Sequence, residues 1–379
     1  MKIGIDTFAC EGGSSGAGSY LREILRRLPA TETRYTLFGW EDDKFTYNDV
    51  SEKLGGCEYV ARCKFKGNTA RQVWHFLKYP EFARIFNFNA CFFPAAHCEV
   101  PGFSPCATIG TVHDMAAYWG TRKTREHLGL IRMALPNALR RLDRVIAVSE
   151  WVKNELIEIA KVRATRIEVV PNGVDFESFY PREYQPDETL LFQPFSFRRP
   201  YILYTSRLDH PVKNHLNLIK AYDIFRERTH FPHRLILAGA NAHGADKIKE
   251  AASVSKHRAD IFFPGAFPAK SLPALTAGAD MVVYPSKYEG FGRGVIEAMA
   301  SGVPVACARA ASLPETAGDA ALFFDPESPE DMADRMVTLA EDGKVRKHLI
   351  KAGLKRAKDF RWDVTAQKTF DIIMETAVK

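Results

Sequence analysis

The 379-residue sequence has no Cys-x-x-Cys pair, and its seven cysteines (Cys10, Cys57, Cys63, Cys91, Cys98, Cys106, Cys307) are odd in number. That usage argues against a disulfide framework and for reduced thiols in a cytoplasm. His97 and Cys98 with Cys91 and Cys106 do not match the usual ligand spacings for zinc. No apolar run approaches the roughly 18 residues of a membrane-spanning helix. Met1-Lys2 runs directly into Ile3-Gly4-Ile5-Asp6, so no signal peptide is expected. One-sided charge is absent as well. Residues 1–180 hold 24 Lys and Arg against 21 Asp and Glu, and residues 181–379 hold 28 against 25. A nucleic-acid binder concentrates its basic charge, so no nucleic-acid partner is expected despite the formal net charge of +6.

Local basic clusters remain at Arg62-Cys63-Lys64-Phe65-Lys66, at Arg122-Lys123-Thr124-Arg125, and at Arg140-Arg141 with Arg144. They read first as solvated faces, and they are compatible with an anionic lipid surface or a pyrophosphate substrate.

With 46% hydrophobic and 26% charged residues, the composition is that of an ordinary globular protein. The length exceeds what one hydrophobic core supports, so two domains are expected. The first half alternates short apolar runs near 2–6, 34–39, 91–94, 107–112, 144–148 and 166–170 with amphipathic stretches near 18–28, 69–86, 124–142 and 149–160. Such alternation builds a parallel α/β sheet with helices on both faces. The segment 180–200, with prolines at 181, 186, 194 and 200, has no periodicity and reads as a linker. The pattern then restarts. Strands are expected near 201–205, 234–238, 260–263, 281–284 and 304–307, and helices near 213–228, 245–256, 270–278 and 294–301. From about 328 onward the chain reads as helical, broken at Asp359-Phe360-Arg361-Trp362-Asp363. Open sheets of this kind bind ligands at the carboxyl ends of their strands, and the chemistry is expected in a cleft between two such domains.

The segment Tyr288-Glu289-Gly290-Phe291-Gly292-Arg293-Gly294-Val295-Ile296-Glu297 joins a strand to a helix through a glycine-rich loop. Its glycines permit close backbone approach, and the first helical turn offers unpaired N–H groups suited to a phosphate. Glu289 and Glu297 would be repelled by that phosphate, so they are better placed to accept bonds from sugar hydroxyls on either side of a diphosphate. Four further stretches fall at strand ends. Gly16-Ala17-Gly18 opens the first helix, but Leu21 stands where a dinucleotide fingerprint has its third glycine. His113-Asp114 follows the strand near 107–112. Arg207, with Lys213-Asn214, follows the strand at 201–205 and supplies cations for a diphosphate. Pro264-Gly265-Ala266-Phe267 offers main-chain groups for a base edge.

In this order the motifs resemble the retaining glycosyltransferases of family GT4, over nearly the whole chain. The most specific part is Ser206-Arg207…Lys213-Asn214, Pro264-Gly265, Pro285-Ser286…Glu289-Gly290-Phe291-Gly292…Glu297 and Leu313-Pro314-Glu315. The resemblance implies a GT-B fold of two Rossmann-like, doubly wound domains. These would be an acceptor domain at 1–180, with a helix at 361–379 packing back on it, and a nucleotide-sugar donor domain at 181–360.

It further implies that Glu289 binds donor-sugar hydroxyls, Glu297 the ribose, and Arg207 and Lys213 the diphosphate. Gly290, Phe291, Gly292, Arg293 and Gly294 belong to the same donor loop, and Gly16, Gly18 and Phe267 complete the donor contacts. His113 is expected beside the donor sugar. Arg293-Gly294 departs from the family, where an aliphatic residue and then Pro or Thr is common. No metal or other cofactor is expected, because the cations replace it. The expected reaction moves a hexose, with mannose from GDP-mannose preferred, to a glycan or lipid-linked hydroxyl with retention, in cell-surface polysaccharide synthesis. The expected location is the cytoplasm, with peripheral contact to an anionic membrane.

Two other enzyme classes use similar patterns. A nucleotide-sugar epimerase or sugar phosphorylase shares the architecture, and a phosphorylase requires a cofactor-binding lysine or phosphate site not evident here. An NAD-dependent oxidoreductase would use Gly16-Ala17-Gly18 and Glu41, but it lacks the third glycine. A non-catalytic nucleotide-sugar-binding protein is expected to lack His113, Arg207, Lys213 or Glu289, and all four are present.

Overall fold

The computed structural model describes residues 1–13, 15–29, 32–47, 50, 57–63, 73–96, 100–119, 128–192 and 194–378. His97 and Cys98, the Lys64-Phe65-Lys66 cluster and Arg122 to Arg125 lie outside them, as do residues 69–72 and 124–127 of two expected helices. The chain forms two compact units. The first comprises Met1–Gly120, Thr124–Gly173 and Trp362–Lys379, and the second contains Val174–Arg361.

The first unit holds a parallel sheet of seven strands: β1 (Lys2–Asp6), β2 (Arg34–Trp40), β3 (Glu58–Cys63), β4 (Ala90–Phe93), β5 (Ala107–Val112), β6 (Arg144–Ala147) and β7 (Ile167–Val169). Their order is β3-β2-β1-β4-β5-β6-β7. Helices α1 (Gly16–Leu25), α2 (Tyr79–Phe86), α3 (Ala116–Trp119), α4 (Leu128–Arg141) and α5 (Glu150–Glu158) connect them, and a π-helical turn, Trp74–Lys78, leads into α2. Strands buried on both faces read as continuous apolar runs, which is why β1, β4 and β5 were legible. β3 was not anticipated, because Glu58 and Arg62 interrupt its apolar run. Ser15 caps α1 by accepting from the Gly18 N–H at 3.0 Å, and Ser149 caps α5 by accepting from the Val152 N–H at 3.1 Å.

In the second unit β8 (Thr189–Phe192) and β9 (Phe195–Arg198) form an antiparallel hairpin. The stretch read as a linker therefore contains structure. Leu190, Phe192 and Phe197 are buried, but four-residue strands framed by Pro186, Pro194 and Pro200 are too short to show a period. The main sheet is parallel: β10 (Tyr201–Thr205), β11 (Arg234–Ala238), β12 (Ile261–Gly265), β13 (Met281–Tyr284), β14 (Val305–Ala308) and β15 (Ala321–Phe324), in the order β12-β11-β10-β13-β14-β15. β15 was also missed by sequence. Helices α6 (His215–Thr229), α7 (Ala245–Ser253), α8 (Leu272–Gly278), α9 (Arg293–Ala300), α10 (Leu313–Ala317), α11 (Pro329–Glu341) and α12 (Gly343–Ala357) complete this unit.

The last helix, α13 (Trp362–Ala377), belongs to the first unit. Trp362, Ala366, Ile372 and Ile373 share one core with Ile3, Ile5, Tyr20, Leu21 and Ile24. Burying a large apolar side chain stabilises by about 1.5–3 kcal/mol, so α13 is held by packing more than by helix propensity. Gly173 makes the crossing feasible, since a Cβ there would lie 2.3 Å from the Trp362 nitrogen. Thr365 Oγ1 donates to the Pro171 carbonyl at 2.7 Å and fixes the register.

Candidate active site

In the second unit the chain runs from β10 outward through β11 and β12, then returns to place β13, β14 and β15 on the other side. The crevice expected for such sheets opens at the carboxyl ends of β10 and β13, where the strand order reverses. β10 leaves the sheet over Gly239, where a Cβ would collide with the Ser206 carbonyl at 1.9 Å. Arg207 follows, exposed and with no ion-pair partner among the described residues. The chain then turns through Lys213, whose N–H donates to Asp209 O at 2.9 Å. Asn214, with a left-handed φ of 56°, starts α6. Its side-chain amide donates to Pro285 O at 3.1 Å and to Pro326 O at 2.7 Å, which ties the start of α6 to the end of β13.

The loop after β13 brings Glu289 to Lys213. Lys213 Nζ donates to Glu289 Oε1 at 2.6 Å, and Ser286 Oγ donates to the same oxygen at 2.7 Å. Glu289 Oε2 has no partner among the described residues. Beneath them the Tyr204 hydroxyl donates to Lys213 O at 3.0 Å and lies 2.7 Å from Ser286 Oγ. Burial, with the charge of Glu289, raises the Tyr204 pKa and keeps it a donor. Ser312 Oγ donates to Glu289 O at 2.8 Å, and Thr316 Oγ1 donates to Phe291 O, so the loop is held from α10 as well.

Gly292, with φ of 87°, precedes α9 and turns the chain into it. Gly294 seats the helix against the strands. A Cβ there would lie 2.7 Å from the Tyr284 ring and 3.1 Å from Thr205 Oγ1. The first turn of α9 thus packs against the ends of β10 and β13, and like any helix start it has N–H groups without an intrahelical partner. Arg293 Nη2 donates to Glu297 Oε1 at 3.3 Å, one turn along. Arg293, the departure from the family pattern, is therefore partnered with the glutamate expected at the ribose. Phe291 is buried and packs edge-on against Phe360 at 5.5 Å, a structural role. Gly290 is buried in the loop between Glu289 and Phe291.

The remaining expected residues are elsewhere. Phe267 follows β12 and packs against Phe192 and Phe195, with ring centroids 5.7 and 5.9 Å away, so its ring serves the hairpin. In the first unit Gly16 opens α1 with nothing among the described residues within 4 Å of a Cβ placed there, whereas the Gly18 amide is already taken by the Ser15 cap. His113 follows β5, its Nε2 2.9 Å from Pro94 O and its ring edge-on to Tyr20 at 4.8 Å. Ser286, Tyr204 and Asn214 hold the site together yet were not chosen from sequence. Ser286 and Asn214 stood inside quoted motifs, but Tyr204 had no signal beyond an apolar strand. His215 is a further surprise. It is buried on Tyr204 at 4.9 Å, and burial together with the Lys213 charge lowers its pKa to about 3. The ring is neutral.

Among the described residues no group of three or more His, Cys, Asp or Glu side chains is arranged to hold a metal ion. None of the described helices is long and apolar enough to cross a membrane.

Two family profiles divide the chain between them. Residues 14–178 match Glycosyltransferase Family 4, and residues 188–356 match Glycosyl transferases group 1. The chain belongs to glycosyltransferase family 4. As a glycosyltransferase it is 29% identical over 266 residues to O-antigen chain mannosyltransferase B of Escherichia coli, covering 69% of each chain. It is 26% identical over 259 residues to the MMP alpha-(1->4)-mannosyltransferase of Mycolicibacterium hassiacum, covering 67% of this chain and 59% of that one. The GT-B fold is shared with sucrose-phosphate synthase from Thermosynechococcus elongatus, with a TM-score of 0.77, 19% identity, and coverage of 99% of this chain and 98% of that one. It is shared too with Anabaena Alr3699/HepE in complex with UDP and glucose, with a TM-score of 0.76, 22% identity, and coverage of 99% and 100%. An epimerase or phosphorylase is not favoured by these likenesses.

Proposed function

We propose that this glycosyltransferase moves a hexose from a nucleotide sugar to a hydroxyl of a glycan or lipid-linked acceptor, with retention of the anomeric configuration, in cell-surface polysaccharide synthesis. The observation that carries the reading is the Glu289 carboxylate. Lys213 and Ser286 both bind Oε1, which fixes the group and leaves Oε2 to accept a donor-sugar hydroxyl. Lys213 stands within reach of the same ligand, and Arg207 and the first turn of α9 supply further positive potential for a diphosphate. Glu297, anchored by Arg293 through Oε1, offers Oε2 to the ribose.

In the proposed step the bond from the anomeric carbon to the leaving phosphate oxygen breaks, and the acceptor oxygen bonds to that carbon on the same face. The acceptor proton passes to the departing diphosphate. Arg207, Lys213 and the amides of Gly292 to Gly294 stabilise the charge that develops there. His113 orients the sugar and is not an essential base. No metal is required, because the fixed cations hold the diphosphate.

GDP-mannose is the preferred donor, and two relatives named as mannosyltransferases support the sugar. The neighbour Alr3699/HepE was solved with UDP and glucose, so a uridine donor is the competing choice. A thermal-shift panel of GDP, UDP and ADP with their sugar conjugates decides between them, since a ligand at 100 times its Kd stabilises by about 2.7 kcal/mol. Stabilisation by UDP-glucose and not by GDP-mannose would replace the donor. Proton NMR of the product tests retention: a β-linkage from an α-linked donor would overturn it. The basic clusters of the sequence, with Arg140 and Arg141 exposed among the described residues, favour peripheral contact with an anionic membrane, which co-sedimentation with anionic vesicles checks.

A further inference from the structure

Counted by halves the chain shows no charge asymmetry, but counted by helix it does. Residues 343–358, which are α12 and its C-cap Lys358, contain seven Lys and Arg and no Asp or Glu. That is +7 in a chain whose formal net charge is +6, so the other 363 residues together net −1. The whole basic excess of the protein sits on one helix.

The fold sorts these residues by type. Arg346 turns inward to Asp280, with Nη2 2.9 Å from Oδ1 and Nη1 3.3 Å from Oδ2. Arg356 donates to the carbonyls of Thr316 and Glu315 at 3.1 and 2.7 Å and to Asp359 at 2.9 Å. Leu349, Gly353 and Ala357 are buried, and a Cβ at Gly353 would lie 3.1 Å from Met299 Cγ, so the helix is seated closely on α9. Lys344, Lys347, Lys351, Lys355 and Lys358 are exposed and form no ion pair with any described residue. Their spacing of three, four, four and three residues places them in one row on the outer face. At 1.5 Å per residue the row is about 21 Å long.

Such a row works against the helix that carries it. Like charges three and four residues apart repel one another, and Lys344 and Lys347 stand at the positive end of the helix dipole with no acidic residue in the first turn. Asp342, just outside, is occupied in capping the Lys344 and Val345 N–H groups at 2.9 and 3.0 Å. Solubility asks only for a surface of mixed sign, so the row points to an anionic partner. Lysine is a hydrated point charge on a flexible stem, whereas the arginine forks that would read individual phosphates are turned inward. No Phe, Tyr or Trp stands in α12 to stack on a base. A helix face with about four to eight basic side chains suits an anionic lipid surface. In the first unit, by contrast, Arg140 and Arg141 are bonded to the carbonyls of Ala160 and Gly102 at 2.9 and 2.8 Å.

We propose that the lysine face of α12 docks on an anionic phospholipid bilayer. The choice of a lipid over other polyanions rests on the glycosyl-transfer reading above, which admits a lipid-linked acceptor.

The test is co-sedimentation of the whole chain with vesicles of phosphatidylcholine alone and of phosphatidylcholine mixed with phosphatidylglycerol. The wild type is expected to bind only the mixed vesicles, more weakly as salt is raised. Changing Lys347, Lys351 and Lys355 together to Glu is expected to lower that affinity about tenfold or more. Changing Lys220, Lys249 and Lys368 to Glu alters the net charge equally but off the row, and is expected to keep the affinity within about threefold. Stabilisation by GDP or UDP should stay at the wild-type level in both variants. Where the first variant fails to fold, the same three lysines changed to Gln decide. No binding of the mixed vesicles by the wild type, equal binding of both kinds, or equal loss in the two variants overturns the proposal. So does tighter binding of duplex DNA than of the mixed vesicles at the same salt, which would make nucleic acid the partner. A wild type that binds the mixed vesicles through α12 but gains no stability from any nucleotide would instead overturn the donor reading and leave the docking face standing.

Discussion

Lys213 and Glu289, 76 positions apart in the chain, meet Nζ to Oε1 at 2.6 Å across the carboxyl ends of β10 and β13. Their side chains are 17% and 14% exposed, shielded enough for the pairing to hold both groups in place yet open to a ligand. If a diphosphate sugar binds there, it gains a preset cation and a preset carboxylate together.

Glu289→Gln, Lys213→Ala and Arg207→Ala are each expected to lower kcat/KM for sugar transfer by about 10- to 150-fold. That corresponds to the 1.5–3 kcal/mol of a charged hydrogen bond. Arg207 is exposed, so its variant should keep the wild-type melting temperature. Near wild-type transfer by the purified, folded variants would show that the assigned residues are not the site.

Millimolar EDTA is expected to leave the transfer rate unchanged, since the proposed diphosphate contacts are Arg207, Lys213 and helix amides. An initial-rate assay with and without chelator checks this. Inhibition reversed by added Mg²⁺ or Mn²⁺ would refute it.

His215 sets an acid limit on stability. Its pKa falls from 6.5 to about 3 in the folded chain. Above pH 6.5 the ring is neutral in both states and contributes no pH dependence. As the pH drops from there towards 3, the unfolded chain takes up a proton that the folded chain refuses, and stability is lost by up to about 1.4 kcal/mol per pH unit. His215→Phe keeps the contact with Tyr204 and is expected to flatten that slope. Urea unfolding of both proteins at neutral and mildly acidic pH measures it, and parallel curves would rule the effect out.

Cys106 is expected to alkylate fastest among Cys10, Cys57, Cys91, Cys106 and Cys307. A hydrogen bond shared with Cys91, the sulfur atoms 3.6 Å apart, lowers its pKa to about 6, with further help from Ser104 and Tyr79. Burial pushes Cys57 up to about 12 and raises Cys91 and Cys307 as well. Iodoacetamide labelling near neutral pH, followed by peptide mass spectrometry, gives the order. Faster labelling at any of the other four would contradict it.

The strands buried on both faces, β1, β10, β11 and β13 among them, were plain in the sequence because their apolar runs are unbroken. β3, β15 and the β8–β9 hairpin were not. Each is short or interrupted, and each takes its burial from neighbours distant in sequence. The glycine loop with Glu289 and Glu297, and the cations Arg207 and Lys213 ahead of α6, stood out in the sequence, because carboxylates beside helix-starting glycines and cations before a helix start both need a reason. Their partners stood out less. Nothing in the spacing of Ser286 or Tyr204 shows that both converge under one carboxylate, and the Asp6–His75 contact joins a strand end to a π-turn 69 residues later. Such pairings are set by topology and not by local pattern.

The return of α13 to the first sheet has a consequence for biosynthesis. On a ribosome β1 to β7 emerge before the second unit, yet the apolar face that Trp362 and Ile373 cover stays open until α13 is made. The first unit therefore starts before the second and is completed after it, since the second unit has every strand of its sheet in hand before α13 is made. A chain truncated after residue 361 would lose the integrity of the first unit, while the second unit would keep its own core.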